Sequence, residues 1–274
     1  MQRGPAAALA EAGSLAASAE VSLGPTAAKP WGSARSHRMA VQDRILDQLE
    51  RDLARHPVNS NVFFERFREE FLPSDALQTF LRQYQYFCKH FVKLLEGLLY
   101  RTPVDLLDMR IELVKTLHSE LGGGQAQQAH IALLNRFAQA IGLDEAALAR
   151  TVPLPSTSAY LAVLHWLFIE ADYLTALGAE FAVEKTAVAE FRYLYPGLLK
   201  YEQFHDDSLE FFKLHLNEET CHADWLKQAV RRTALTPADL ETVAAGAQHT
   251  ADAWHAFWLG LHEAVFARSG AVTA

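Results

Sequence analysis

From Met39 towards the C-terminus, apolar residues recur every three or four positions, and stretches that alternate apolar with polar are almost absent. That period demands helices, because only a helix gathers residues so spaced onto one buried stripe. Ile45, Leu46, Leu49 and Leu53 mark a first helix, and Phe63, Phe64, Phe67 and Phe71 a second that ends at Pro73. Ser74 or Asp75 caps a third, whose apolar stripe includes Leu77, Phe80, Tyr84, Phe87, Phe91 and Leu98. Thr102 before Pro103 opens another helix, stopped by Gly122, Gly123 and Gly124, and a further one over residues 126–141 ends at Gly142. A long helix is expected over residues 158–190, with a break at Pro196-Gly197. Residues 201–231 contain neither Gly nor Pro and read as one helix, and Thr236-Pro237 opens the last, which extends to Arg268. The expectation is an all-α, single-domain bundle of roughly seven to nine helices, with no repeat of fixed period.

Residues 1–38 stand apart. They hold 11 Ala, 4 Gly and 5 Ser, with no Phe or Ile, so they cannot offset the entropy of ordering by burying a core. They are expected to form a disordered tail ahead of a helical domain over 39–270; the other plain reading is that the chain starts at Met39. The tail lacks the apolar centre of a secretory signal, and Glu11 and Glu20 weaken a transit-peptide reading.

Half of the 274 residues are hydrophobic, enough for one sizeable core. The net charge of −8 excludes a broad nucleic-acid surface, which needs clustered Lys and Arg to displace counterions. Cys88 and Cys221 are too few and too far apart for a disulfide framework or a zinc module, which suits a reducing, cytoplasmic location. The longest apolar run, Tyr160 to Ile169, is interrupted by His165 and too short to span a bilayer. The expected partners are therefore a small-molecule substrate and, at most, a second copy of the chain.

Chemistry concentrates at His215-Leu-Asn-Glu-Glu219-Thr-Cys-His222. Positions i, i+4 and i+7 fall within roughly 60° of one another on a helix, so two imidazoles and a carboxylate share one face. A divalent cation would compensate their burial; a solvated acidic face with incidental His is the alternative. Glu120 is followed by three Gly and then by His130, so a chain reversal could bring acid and imidazole together, or leave both at exposed helix ends. Glu184 sits in a helix among Leu177, Phe181 and Val188, and Glu180, one turn away, competes with it for any role. Three carboxylates and three imidazoles form an apt donor set for two first-row metals.

In this order, Glu-x9-His with a Gly-rich centre, a mid-helix Glu, and His-x3-acid-x2-His, the motifs resemble those of the heme-oxygenase-like diiron oxidases and oxygenases. That superfamily shares a bundle of about seven core helices with thiaminase II and pyrroloquinoline quinone synthase. The stretches His56-Pro57 to Phe64 and Phe80 to Phe87 resemble its first helices, and the similarity covers residues 40–265. The resemblance implies that Glu120, His130, Glu184, His215, Glu219 and His222 bind two iron ions, or an iron and a manganese, and that O2 is co-substrate. It implies an iron-dependent oxidoreductase catalysing N-oxygenation, desaturation or oxidative C–C cleavage of a small metabolite. Glu219 departs from the family pattern, where Asp is common. Glu96 matches an additional carboxylate that only some members use. Tyr84, Phe87, Phe91 and Phe181 are expected pocket walls.

Three rival readings are weighed against it. A ferritin-like site is suggested by Glu202-x-x-His205 and Glu219-x-x-His222, but both fall in what reads as a single helix. A cofactor-free enzyme of the thiaminase II or quinone synthase kind would use the same bundle. A non-enzymatic helical binding protein could use the aromatic residues of the last helix, of which His255 and His262 read as core or surface.

Overall fold

The computed structural model describes residues 31–266, and within them the side chains of residues 39–216 and 226–266. Ten α-helices occur among the described residues: α1 (Trp31–Arg55), α2 (Val62–Glu69), α3 (Ser74–Arg101), α4 (Leu107–Glu120), α5 (His130–Ala140), α6 (Glu145–Ala149), α7 (Pro155–His165), α8 (Tyr173–Leu199), α9 (Glu210–Thr233) and α10 (Pro237–Phe266). No strand occurs among them. The α1 helix begins upstream of Met39, within the stretch expected to be a tail; residues 1–30 and 267–274 lie outside the described residues. No described helix is long and apolar enough to cross a membrane.

Side-chain caps set three of the helix starts, whereas α3 begins after Pro73 with no side-chain cap, so neither Ser74 nor Asp75 caps it as expected. The Asn61 side chain accepts from the Phe63 N–H at the start of α2, Asp144 from the Ala147 N–H at α6, and Asp172 from the Leu174 N–H at α8. Four further expectations are corrected. Thr102 closes α3 instead of opening the next helix: its N–H and hydroxyl both bond the Leu98 carbonyl, and α4 starts only at Leu107. The long helix over 158–190 is two helices, α7 and α8, joined by a wider π turn at Trp166–Glu170 and a break held by the Asp172 cap. Pro196 does not end α8, which continues to Leu199 although the proline can donate no hydrogen bond to the Arg192 carbonyl four residues back. Residues 201–209 form turns ahead of α9, tied down by the Tyr201 hydroxyl on the Leu72 N–H.

The core is continuous and strongly aromatic. Phe63, Phe64, Phe80 and Trp258 pack with ring centroids 4.5 to 6.5 Å apart, welding α2 and α3 to α10. The α8 and α10 helices form the most extensive helix pair, and two glycines permit it. A Cβ added at Gly178 would strike the Val243 carbonyl oxygen, and one at Gly246 would strike that of Thr175. This backbone-to-backbone crossing sets the α10 side chains against the functional face of α8.

Gly246→Val is therefore expected to lower stability by about 1–3 kcal/mol through overpacking. Thermal unfolding followed by circular dichroism checks this; an unchanged midpoint would mean that the crossing tolerates a side chain.

Candidate metal centre

Four helices deliver the site. Glu120 is the last residue of α4 and His130 the first of α5, and between them Gly122, Gly123 and Gly124 all adopt positive φ of 62° to 85°. Such a run of left-handed backbone is open to Gly at little cost, and it folds the chain back on itself. The reversal sets His130 Nδ1 3.2 Å from Glu120 Oε1, with the imidazole buried and the carboxylate nearly so. His215, on α9, lies with its ring centroid 4.5 Å from that of His130. One potential ligand atom from each of Glu120, His130 and His215 lies within 4.8 Å of the other two.

The orientation of His215 suits a metal ligand. Its Nδ1 lies 2.6 Å from the Phe211 carbonyl oxygen, which only accepts, so Nδ1 carries the hydrogen and Nε2 keeps the lone pair. Holding the distal N–H on a backbone carbonyl is how metal-binding histidines have their tautomer fixed. Phe191 stacks on the ring at 4.5 Å and Phe211 packs at 4.2 Å, which restrict its rotation.

Glu120, His130, Glu184 and His215 line a common cavity. Four of the six expected ligands thus converge from α4, α5, α8 and α9. The other two, Glu219 and His222, fall within α9, but their side chains lie outside the described residues. Glu96 is not brought to the site: it is exposed and pairs with Lys93 at 2.9 Å. Tyr84, Phe87 and Phe91 form walls as expected, whereas Phe181 is buried elsewhere in the core. Glu202 and His205 sit in the turns before α9, exposed, so they form no second centre. His255 contacts Asn61 at 2.9 Å and His262 contacts Arg66 at 3.4 Å, both away from the cavity.

The charge balance argues for cations. Glu180 is fully buried beside Glu184, and neither of its oxygens meets a hydrogen-bond donor. Burial first, and then the like charges of Glu184 and Glu120, push its carboxyl well above the usual range. Acids packed this way must share protons or gain positive charge. The donor set of imidazole and carboxylate suits first-row metals such as iron.

Glu190 escaped the sequence reading. It is buried, lines the same cavity, and accepts from the Tyr84 hydroxyl at 2.5 Å and from Trp254 Nε1 at 3.0 Å. Burial raises its pKa to about 8 despite those two hydrogen bonds, which lower it. A signal existed: Val183, Ala187 and Glu190 are spaced i, i+4 and i+7, on the stripe beside Glu184.

Comparisons with known proteins agree on the family. The family model described as "Iron-containing redox enzyme" matches residues 78–255. A 4-aminobenzoate synthase of Nitrosomonas europaea is 28% identical over 221 residues, covering 78% of this chain and 87% of that protein. A CADD-like protein of unknown function from Nostoc punctiforme superposes with a TM-score of 0.69 at 22% identity, over 86% of this chain and 99% of that one. A domain of unknown function with a heme oxygenase-like fold from Shewanella denitrificans gives 0.63 at 16% identity, over 88% and 96% of the two chains.

The Glu190 carboxyl generates a prediction. With its folded pKa raised to about 8, the folded state holds a proton that the unfolded chain releases near pH 4.3, so its contribution to stability falls as pH rises between those values and levels off above pH 8. In metal-free protein, Glu190→Gln should flatten the decline in stability between pH 5 and 8 by about 1.4 kcal/mol per pH unit. Denaturant titrations across that range decide it, and parallel wild-type and variant curves would contradict the assignment.

Proposed function

We propose that this chain, which belongs to the family of iron-containing redox enzymes and has the heme-oxygenase-like all-α fold, is an O2-dependent oxidoreductase that holds two iron ions in the α4–α5–α8–α9 cavity and oxidises a small metabolite there. The observation that carries the proposal is the convergence of Glu120, His130, Glu184 and His215 on one buried cavity from four separate helices. Residues that far apart in the chain do not collect buried acids and imidazoles for stability alone, because removing them from water is costly. In this reading, Glu219 and His222 complete the ligand set.

Each part of the chain then has a task. Glu120 and Glu184 neutralise positive charge, and His130 and His215 supply nitrogen donors, the latter locked by the Phe211 carbonyl. Bound as Fe(II), the pair would supply the electrons by which O2 is activated. Phe87, Phe91 and Phe191 keep the chamber apolar, which strengthens every electrostatic contact inside it. Glu190, which accepts from the Tyr84 hydroxyl and has its pKa raised by burial, is the acid placed to give up or take back a proton at the cavity wall. The 4-aminobenzoate synthase similarity is consistent with a small aromatic or amine-bearing compound in the reaction; N-oxygenation, desaturation and oxidative C–C cleavage are the reaction types to test.

Anaerobic loading with Fe(II), followed by desalting and metal analysis, is expected to give about two iron ions per chain. His215→Ala and Glu184→Ala should each lose iron and the absorbance change that follows exposure to O2. Absence of iron at saturating Fe(II) would leave a cofactor-free enzyme on this bundle as the better account, and full iron content with normal O2 consumption in both variants would remove these residues from the ligand set.

A further inference from the structure

The charges facing the cavity are lopsided. Among its described lining residues, Glu120, Glu184 and Glu190 are acids and none is Lys or Arg. In the reading above, bound metal takes up Glu120 and Glu184. Glu190 lies six residues beyond Glu184, roughly 9 Å along the helix axis. It remains as an acid facing the space where a substrate would sit.

Glu190 is built for a partner. The Tyr84 hydroxyl fixes Oε1 and Trp254 Nε1 fixes Oε2, so the carboxyl is oriented while each oxygen keeps a second lone pair. Next to it, three cavity-lining rings form one aromatic wall: Trp254 lies 4.5 Å from Tyr160 and 4.8 Å from Phe87, and those two lie 5.3 Å apart. A carboxylate beside Trp, Tyr and Phe combines an ion pair with cation–π attraction, and both strengthen where water is excluded. A carboxylate-bearing ligand would meet like charge here, and a purely apolar one would leave the acid unanswered.

We infer that Glu190 and the wall formed by Phe87, Tyr160 and Trp254 make a substrate subsite that selects a small organic ammonium group. The identity of that ligand as the substrate rests on the iron-enzyme reading. The singling out of Glu190 among the three lining acids rests on that reading too, whereas its orientation by Tyr84 and Trp254 beside the ring wall does not. The titratable groups facing Glu190 are the Tyr84 phenol and Cys88 thiol from α3 and the Tyr160 phenol from α7. Burial first, and then nearby acids, push Cys88 and Tyr160 upward, which keeps them neutral. An arriving ammonium therefore converts the Glu190 carboxylic acid to carboxylate and releases one proton to solvent, the ammonium keeping its own.

Calorimetric titration of the iron-loaded protein with butylammonium and with 1-butanol, an uncharged probe of equal heavy-atom count, tests the inference. Wild type is expected to bind the ammonium at least about tenfold more tightly, and Glu190→Gln to lose that preference while keeping its iron. In metal-free wild type below pH 8 the binding heat should change with the ionisation heat of the buffer, reporting release of about one proton. That readout needs no variant and stands even if the Gln protein fails to fold. Equal affinity for the two probes in wild type, or an undiminished preference in Glu190→Gln, would overturn the inference. Iron content in the same preparations separates the two proposals: iron present without charge preference defeats this subsite alone, and charge preference without iron defeats the iron reading alone.

Discussion

An apolar helical core accepts a carboxylate only where something positive or a proton accompanies it, and this bundle buries several around one cavity. Glu180, Glu184 and Glu190 are all carried inward by α8, with Glu120 arriving from the end of α4. In a medium of low polarity, each bare acid would cost several kcal/mol, so the cluster persists through protonation, metal or both. The rest of the architecture follows from placing those acids. The Gly122–Gly124 reversal presents Glu120 to His130, and the α8–α10 crossing at Gly178 and Gly246 presents Trp254 to Glu190.

The cavity lining holds two groupings that differ in what they offer. In one, imidazoles and carboxylates face one another with a ring fixed by a backbone carbonyl, the arrangement of a metal centre. In the other, a single acid is held by Tyr84 and Trp254 among aromatic rings, the arrangement of a site for an organic ligand. Cys88, on α3, feels the negative charge of both Glu120 and Glu190 and lines the space they share. In the proposed reading, ligand binding and redox chemistry would share one chamber.

Much of this was legible in the residue pattern. Helical periodicity defined an all-α bundle, and the spacing of Glu120, His130, Glu184 and His215 named side chains that the fold brings to one cavity. What the pattern did not reveal has physical causes. Apolar residues run on through 160–169, so nothing in the periodicity signals that Ala171 and Asp172 break the helix; the cap on Leu174 decides it. Pro196 reads as a terminator because local sequence alone carries the cost of its missing N–H, while the packing of α8 on through Leu198 is tertiary. Residues 201–209 lack Gly and Pro, yet Tyr201 and Ser208 spend their hydroxyls on turns. Glu190 was missed because its significance lies in partners 106 and 64 residues away, Tyr84 and Trp254.

The most direct examination of the central claim is a crystal structure of protein loaded anaerobically with Fe(II), with anomalous difference maps recorded on either side of the iron absorption edge. The account predicts two iron peaks inside the cavity, bounded by Glu120, His130, Glu184 and His215. Iron found only on the surface, or a cavity without an anomalous peak in fully loaded crystals, would contradict it.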